Sequence, residues 1–210
     1  FTTSFSPSND FSLDFGFRYG HQNNQVKKYY HYNRWSRENY QERLGAFVIR
    51  DVAGQKLIEQ RIIFDNLSLS TGVKYAIQPD LNLRLNVFHT ERAPDIAEMF
   101  SDGLHHSLAT IEYGNPFLKS ETTQKLVLNF EKGSGNFRYN FSPYLTQGQN
   151  YIIIEPKGFE HNIRGAFPVW EYSAVSSIIR RFDLDLSLHL GERIKISNNS
   201  SWIEGYEKGS

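Results

Sequence analysis

Two groups of side chains in this sequence carry types that do chemistry. One is the pair His105-His106 in the run Asp102-Gly103-Leu104-His105-His106. Imidazole and carboxylate ligands suit zinc, copper or iron, which makes His105 and His106 the candidate metal contacts. Adjacent loop residues point apart, however, and neither His-x-His nor His-Glu-x-x-His spacing occurs. The other group is the run KKYYHYNRWSRENYQER at 27–43. There Tyr29, Tyr30, His31, Tyr32, Arg34 and Trp35 combine aromatic faces with cations. Such surfaces hold an anionic chelate or a sugar by stacking, cation–π contact and charge. They also suit a loop lying near surface phosphates.

Enzyme chemistry finds no footing. The chain has no Gly-x-Ser-x-Gly elbow, and Gly133-Ser134-Gly135 leads into a strand rather than a helix, which is wrong for a phosphate loop. Asp183 and Asp185 lie on one face of a single strand, where lining a polar surface explains them. Lys+Arg and Asp+Glu are equal at 23 each, so no global field favours nucleic acid. With no cysteine, disulfides and thiolate metal sites are excluded.

The elements that must position these residues are strands. Phe11, Leu13, Phe15, Phe17 and Tyr19 alternate with Ser12, Asp14, Gly16 and Arg18, and the same period of two recurs at 67–77, 81–87, 137–145 and 182–190. The pattern predicts an all-β, antiparallel up-and-down meander of about seven strands, at 9–19, 66–77, 81–89, 121–131, 136–154, 169–190 and 194–205. Residues 43–64 hold a further hairpin-like pattern around Asp51-Val52-Ala53-Gly54. Ile96–Phe100 is long enough for one or two helical turns only.

The links come in two kinds that alternate. Gln78-Pro79-Asp80, Lys132–Gly135 and Gly191–Arg193 read as tight turns, whereas 20–65, 90–120 and 155–168 are long. Alternate links of a meander fall on opposite ends of the sheet, so all tight turns share one end. Outer-membrane barrels have this asymmetry. Mean hydropathy is low and no apolar run reaches the ~20 residues of a membrane helix, but a barrel crosses with strands whose alternate residues face a polar lumen. Aromatics make up 15% of the chain, and Tyr and Trp favour membrane interfaces as well as strands. Alternation alone does not say which face points outward: a small soluble barrel turns its apolar face inward, a membrane barrel toward lipid.

The stretch ERAPDIAEMFSDGLHHSLATIEYGNPFLKSE at 91–121 is the most specific. Arg92, Ala93 and Pro94 precede Glu98, Met99 and Phe100, and Gly114, Asn115, Pro116, Leu118, Lys119 and Glu121 follow in order. This resembles the barrel domain of TonB-dependent outer-membrane receptors, and the flanking strands extend the resemblance over most of the chain. It implies that 1–210 is part of a barrel of the 22-stranded, plugged type, with the plug domain and the remaining strands elsewhere and two strand edges left to pair. It also implies a Gram-negative outer-membrane receptor for energy-coupled uptake of a scarce nutrient: a ferric siderophore, haem, zinc or a glycan. The metal or chelate would be cargo, with no resident cofactor required. The implied partners are the TonB energy complex acting through the plug, outer-membrane lipid and lipopolysaccharide, and the small-molecule substrate, with no nucleic acid. Some zinc- and haem-uptake receptors of this family use loop histidines, and the Gly-x-His-His context is similar to theirs. Arg92 and Glu98 are expected to pin a loop to the barrel wall. A passive porin-like barrel and a soluble β-rich ligand-binding domain remain the alternatives.

Overall fold

The computed structural model describes residues 1–105, 107–163 and 165–208. Among these residues eleven strands form one sheet. In chain order they are β1 (Thr2–Ser8), β2 (Phe11–His31), β3 (Val48–Val52), β4 (Gln55–Gln78), β5 (Leu81–Arg92), β6 (Asp102–His105), β7 (Thr110–Tyr113), β8 (Glu121–Lys132), β9 (Phe137–Asn162), β10 (Gly165–Leu190) and β11 (Ile194–Glu207). The helices are α1 (Tyr32–Arg37), α2 (Tyr40–Leu44) and α3 (Ile96–Phe100), with a 3-10 turn at Gly45–Phe47. The chain forms two compact units, 20–65 and the remainder, 1–19 with 66–210.

The larger unit is the expected meander, in the order β1-β2-β4-β5-β8-β9-β10-β11 and antiparallel along the paired registers. Among the described residues β1 and β11 each pair with one strand, so the sheet is an open part of a barrel. The long link 93–120 is not a loose loop. It forms α3 and then the β6–β7 hairpin, whose β7 pairs in parallel with β10 at Val169–Glu171. The edge of β10 is thus shared, with β11 on Ser177–Leu190 and β7 further along.

Four strands stand beyond the expected seven: β1, β3 in the hairpin foreseen at 43–64, and β6 and β7 in the link 93–120. The other two long links largely lengthen strands already expected. Residues 155–168 continue β9 and β10, which pair without a loop up to Asn162 and Gly165. In the link 20–65, β2 runs on to His31 and β4 begins at Gln55. Residues 155–161 of β9 are polar or exposed on both faces, so no apolar side reveals them, whereas the extensions of β2 and β4 bury Val26, Tyr30 and Ile58 without a sustained alternation. The Ala53-Gly54 turn is present, with φ +54° and +79°. Two left-handed residues make a two-residue hairpin whose twist matches its strands.

Direct cross-strand neighbours share a face, so the register sorts the two sides. One carries Val73, Leu85, Leu128, Pro143, Phe182 and Trp202 in a continuous row, with Leu126, Leu145, Leu184 and Phe141 around it. The other carries Asn129, Asn140, Ser142, Arg181, Asp183, Asp185 and Asn199, hydrogen-bonded among themselves. Among the described residues nothing in the sheet covers the apolar side, where Tyr75, Leu126 and Leu145 are 49%, 44% and 45% exposed. Water is a poor neighbour for so wide an apolar surface, which marks an interaction face.

Candidate functional site

The residues singled out by type fall into two separate clusters, one in each unit. In the larger unit the motif residues build a knot at the end of β5. Pro94 cannot continue a strand. Asp95 then starts α3 as a capping box, with Glu98 accepting from the Asp95 backbone N–H at 2.7 Å. Glu98 also receives both terminal nitrogens of Arg92, at 3.1 Å each. The Nε of Arg92 reaches Glu121 at the start of β8, at 2.5 Å, and the second oxygen of Glu121 accepts from the Ile152 backbone at 2.6 Å. Two carboxylates raise the Arg92 guanidinium above its ordinary range, Glu121 contributing most, then Glu98, with burial opposing them. The expected Arg92–Glu98 pin is therefore real. Its second anchor, Glu121, carries no signal in sequence beyond its place in the motif.

Gly114 and Asn115 close this knot. The Gly114 N–H bonds to the Ser101 carbonyl at 2.8 Å, and the Asn115 N–H to Glu98 at 2.9 Å. A side chain on Gly114 would stand 2.5 Å from the Met99 carbonyl carbon. Met99, Phe100, Ile111, Leu118 and Val169 are buried around it. The knot fixes the base of the β6–β7 hairpin, and His105 ends β6, exposed, with its Nδ1 3.1 Å from the Ser107 hydroxyl. His106 lies outside the described residues. Among those described, no group of three metal-ligating side chains comes together.

The smaller unit divides the aromatic run into two kinds of residue. Tyr30 and Trp35 are 1% and 4% exposed and pack with Tyr40 in edge-on or tilted pairs at 5.1–6.1 Å. With Val26, Leu44 and Ile58 they form the core of this unit, and Arg34 is buried too. Tyr29, His31 and Tyr32 are exposed. Tyr32 begins α1, its backbone N–H bonded to Gly54 at 3.0 Å. Its hydroxyl donates to Asp51. Lys56 donates to the same carboxylate at 2.7 Å and stands 5.5 Å from the ring centres of both Tyr32 and Trp35. Lys56, then Tyr32, holds Asp51 below the usual carboxylate range. Asp51 in turn raises Lys56 and the Tyr32 phenol. Sequence inspection missed Asp51, Lys56 and Tyr40. The hairpin signal at 51–54 placed Asp51 near a turn, but nothing local joins it to Tyr32, nineteen residues earlier.

A single two-faced sheet, hydrogen-bonded on its polar side and uncovered on its apolar side, defines a membrane barrel wall. Residues 1–208 match the family described as TonB dependent receptor-like, beta-barrel, and the chain belongs to that family. Among solved structures it is similar to the copper transporter OprC, with a TM-score of 0.70 at 14% identity over 98% of this chain and 28% of that one. The siderophore receptor PirA from Pseudomonas aeruginosa gives 0.55 at 12%, over 94% and 44%. A Serratia marcescens hemophore receptor HasR, solved with its hemophore HasA and heme, gives 0.54 at 15%, over 95% and 32%. The chain thus spans less than half the length of each. At these identities the likeness is one of fold. No curated protein sequence matches.

Proposed function

We propose that this chain is part of an outer-membrane receptor that imports a scarce nutrient, a metal chelate, haem, zinc or a glycan, with energy supplied by a TonB complex through a plug domain. What carries the reading is the two-faced sheet: a hydrogen-bonded polar face that can line a filled lumen, opposite an uncovered apolar face for lipid. The family membership supports it, and receptors for copper, heme and siderophores share the fold. Its setting is the Gram-negative outer membrane, with lipopolysaccharide as neighbour.

Substrate capture is assigned to exposed groups only. On the smaller unit these are Tyr29, His31 and Tyr32, with Tyr30, Arg34 and Trp35 as the packed base that holds them. On the β6–β7 hairpin they are His105 and His106. An imidazole that binds metal must be neutral and reachable, and His105 is reachable. The full-length receptor should lose affinity for one of zinc, haem or a ferric siderophore when His105 and His106 are both changed to Ala. The expected loss is at least one tenfold step, about 1.4 kcal/mol, with assembly unchanged. Undiminished affinity for all three would remove the histidines from the site.

A further inference from the structure

Pro143 stands where a sheet has no use for proline. Its strand β9 is interior at this level, with β8 on one side and β10 on the other. Within sheets proline belongs on edge strands or at bulges, because it has no N–H to give the ladder. No bulge relieves it here. Val127 pairs with Tyr144 before the site and Phe130 with Phe141 after it, in one unbroken register. Between them the pairs of Leu128 and Asn129 are missing. The β9–β10 ladder, by contrast, runs through Tyr144, Pro143, Ser142 and Phe141 without a gap, as the β5–β8 ladder does past Leu128 and Asn129.

This pattern identifies the group that is left over. In an antiparallel ladder each N–H points to one neighbour only, and successive residues turn to opposite neighbours. A Pro143 nitrogen facing β10 would have broken the pair with Phe182 and one beside it, and both are intact. The nitrogen therefore faces β8, and the acceptor opposite it is the Leu128 carbonyl. One absent hydrogen removes both pairs that depend on that bond, Leu128 with Pro143 and Asn129 with Ser142. A carbonyl without a donor is costly wherever water is excluded. On the apolar side Leu128, Phe130, Phe141 and Pro143 surround the gap, and none has a side-chain donor. Relief comes only from the polar side.

On that side the missing pair is rejoined by side chains. Asn129 Nδ2 donates to the Ser142 hydroxyl at 2.8 Å and to Asn140 Oδ1 at 2.5 Å. Ser142 is the residue that should face Asn129 across the ladder. The two bonds thus join β8 to β9 at the level where the backbone does not. Asn140 Nδ2 in turn donates to Asp185 at 3.5 Å, and Asp185 accepts from Asn199 at 2.6 Å. The stitch continues as a polar row to β10 and β11.

We propose that the β8–β9 seam at Pro143 is the yielding joint of this wall, and that Asn129 is a positioning residue that closes it from the polar side. The proposal rests on the reading of the sheet as a membrane wall, with that side turned to the lumen. A ladder bond is shielded within the sheet, whereas the Asn129 carboxamide is only half-buried and stands open to competitors. A polar group that moves along the lumen at this level competes for that amide. When it wins, the backbone offers nothing to replace the bond, and β8 and β9 part there before they part elsewhere along the seam.

The test uses the full-length receptor in phosphatidylcholine bilayers, with hydrogen exchange read by mass spectrometry at single-residue resolution. On β9 the amides of Phe141 and Leu145 donate to β8, and those of Ser142 and Tyr144 to β10. The first two should exchange about fivefold faster than the second two, the effect of one net hydrogen bond. Pro143→Ala should remove the difference. Equal exchange toward the two neighbours in the unsubstituted receptor would overturn the joint. A double-mutant cycle tests the stitch. Asn129→Ala should lower the urea midpoint, and should lower it by about half as much or less in a receptor carrying Pro143→Ala, whose restored N–H closes the seam unaided. The cycle cancels what Pro143→Ala does alone, including the added freedom of its unfolded chain. Equal losses in the two backgrounds would take Asn129 out of the role. The exchange measurement on the unsubstituted receptor stands where a variant fails to assemble. Neither readout depends on the nutrient carried, so a failed uptake assay leaves both intact.

Discussion

Glu121 shows how much of the rim rests on one carboxylate. It is 8% exposed and binds the Arg92 guanidinium and the Ile152 backbone N–H at once. Replacing Arg92 by Ala leaves Glu121 with one partner. Arg92 itself is 43% exposed on its side chain, so solvent screens much of the pair and the expected loss is about 1–2 kcal/mol, read as a lower urea midpoint of the folded barrel. Gly114 is less forgiving. A methyl group there meets backbone on α3 rather than a movable side chain, so Gly114→Ala should cost roughly 2 kcal/mol or more. The Asp51 contact titrates only at the extremes of pH. Its carboxyl lies below the usual range when folded, so its contribution is complete above the ordinary aspartate value and fades as pH falls through the depressed one. Lys56 and Tyr32 are raised, so theirs is complete below their ordinary values and fades as pH rises through the raised ones. The Tyr32 phenolate, read as the absorbance difference from a Tyr32→Phe variant, should therefore form later than for free tyrosine. An Asp51→Asn change should bring it back down.

At the scale of elements, β5 gives the clearest test of facing. Leu83 lies opposite Phe130 and Tyr75 on the apolar side, whereas Asn82 lies opposite Glu131 on the polar one. Leu83→Arg should cost about 2–4 kcal/mol near the middle of the membrane. Asn82→Arg should cost far less, since a guanidinium there meets a carboxylate, and equal tolerance in a refolding assay would contradict the facing. These strands were legible in the sequence because lipid on one side and polar groups on the other write alternation into them. The outer parts of β2, β4, β9 and β10 were not: on β9 both sides are polar or exposed, and on β2 and β4 the buried Val26, Tyr30 and Ile58 are too few to write an alternation. The short α3 was legible through the apolar run Ile96, Ala97, Met99 and Phe100 after Pro94, whereas α1 and α2 were not. Trp35 of α1 reads as a ligand-binding aromatic until its burial with Tyr40, Leu44, Val26 and Ile58 shows it to be core. Sequence marks residue types, and burial decides which of them can touch a ligand.

The two kinds of chain reversal make a statement about the whole molecule. Asn9-Asp10, Pro79-Asp80, the reversal at 133–136 and Gly191–Arg193 all close one end of the meander. The link 93–120 and the β9–β10 reversal leave from the other end. On the function proposed above, the first set belongs on the periplasmic side, where turns are short, and the second outside. The long links therefore need not be flexible to be extracellular. Most of their length is hydrogen-bonded strand, so a protease, which needs an unfolded segment, is a poor probe, and a small thiol reagent is a good one. The chain contains no cysteine, which leaves the background low. A single cysteine at Val52, beside the Ala53-Gly54 turn, or at Lys157 on β9 should react with a membrane-impermeant maleimide on intact cells. One at Ser134 should react only after the outer membrane is opened. Labelling of Ser134 alone on intact cells would invert the orientation, and with it the assignment of Tyr29, His31, Tyr32, His105 and His106 to the side that meets the nutrient.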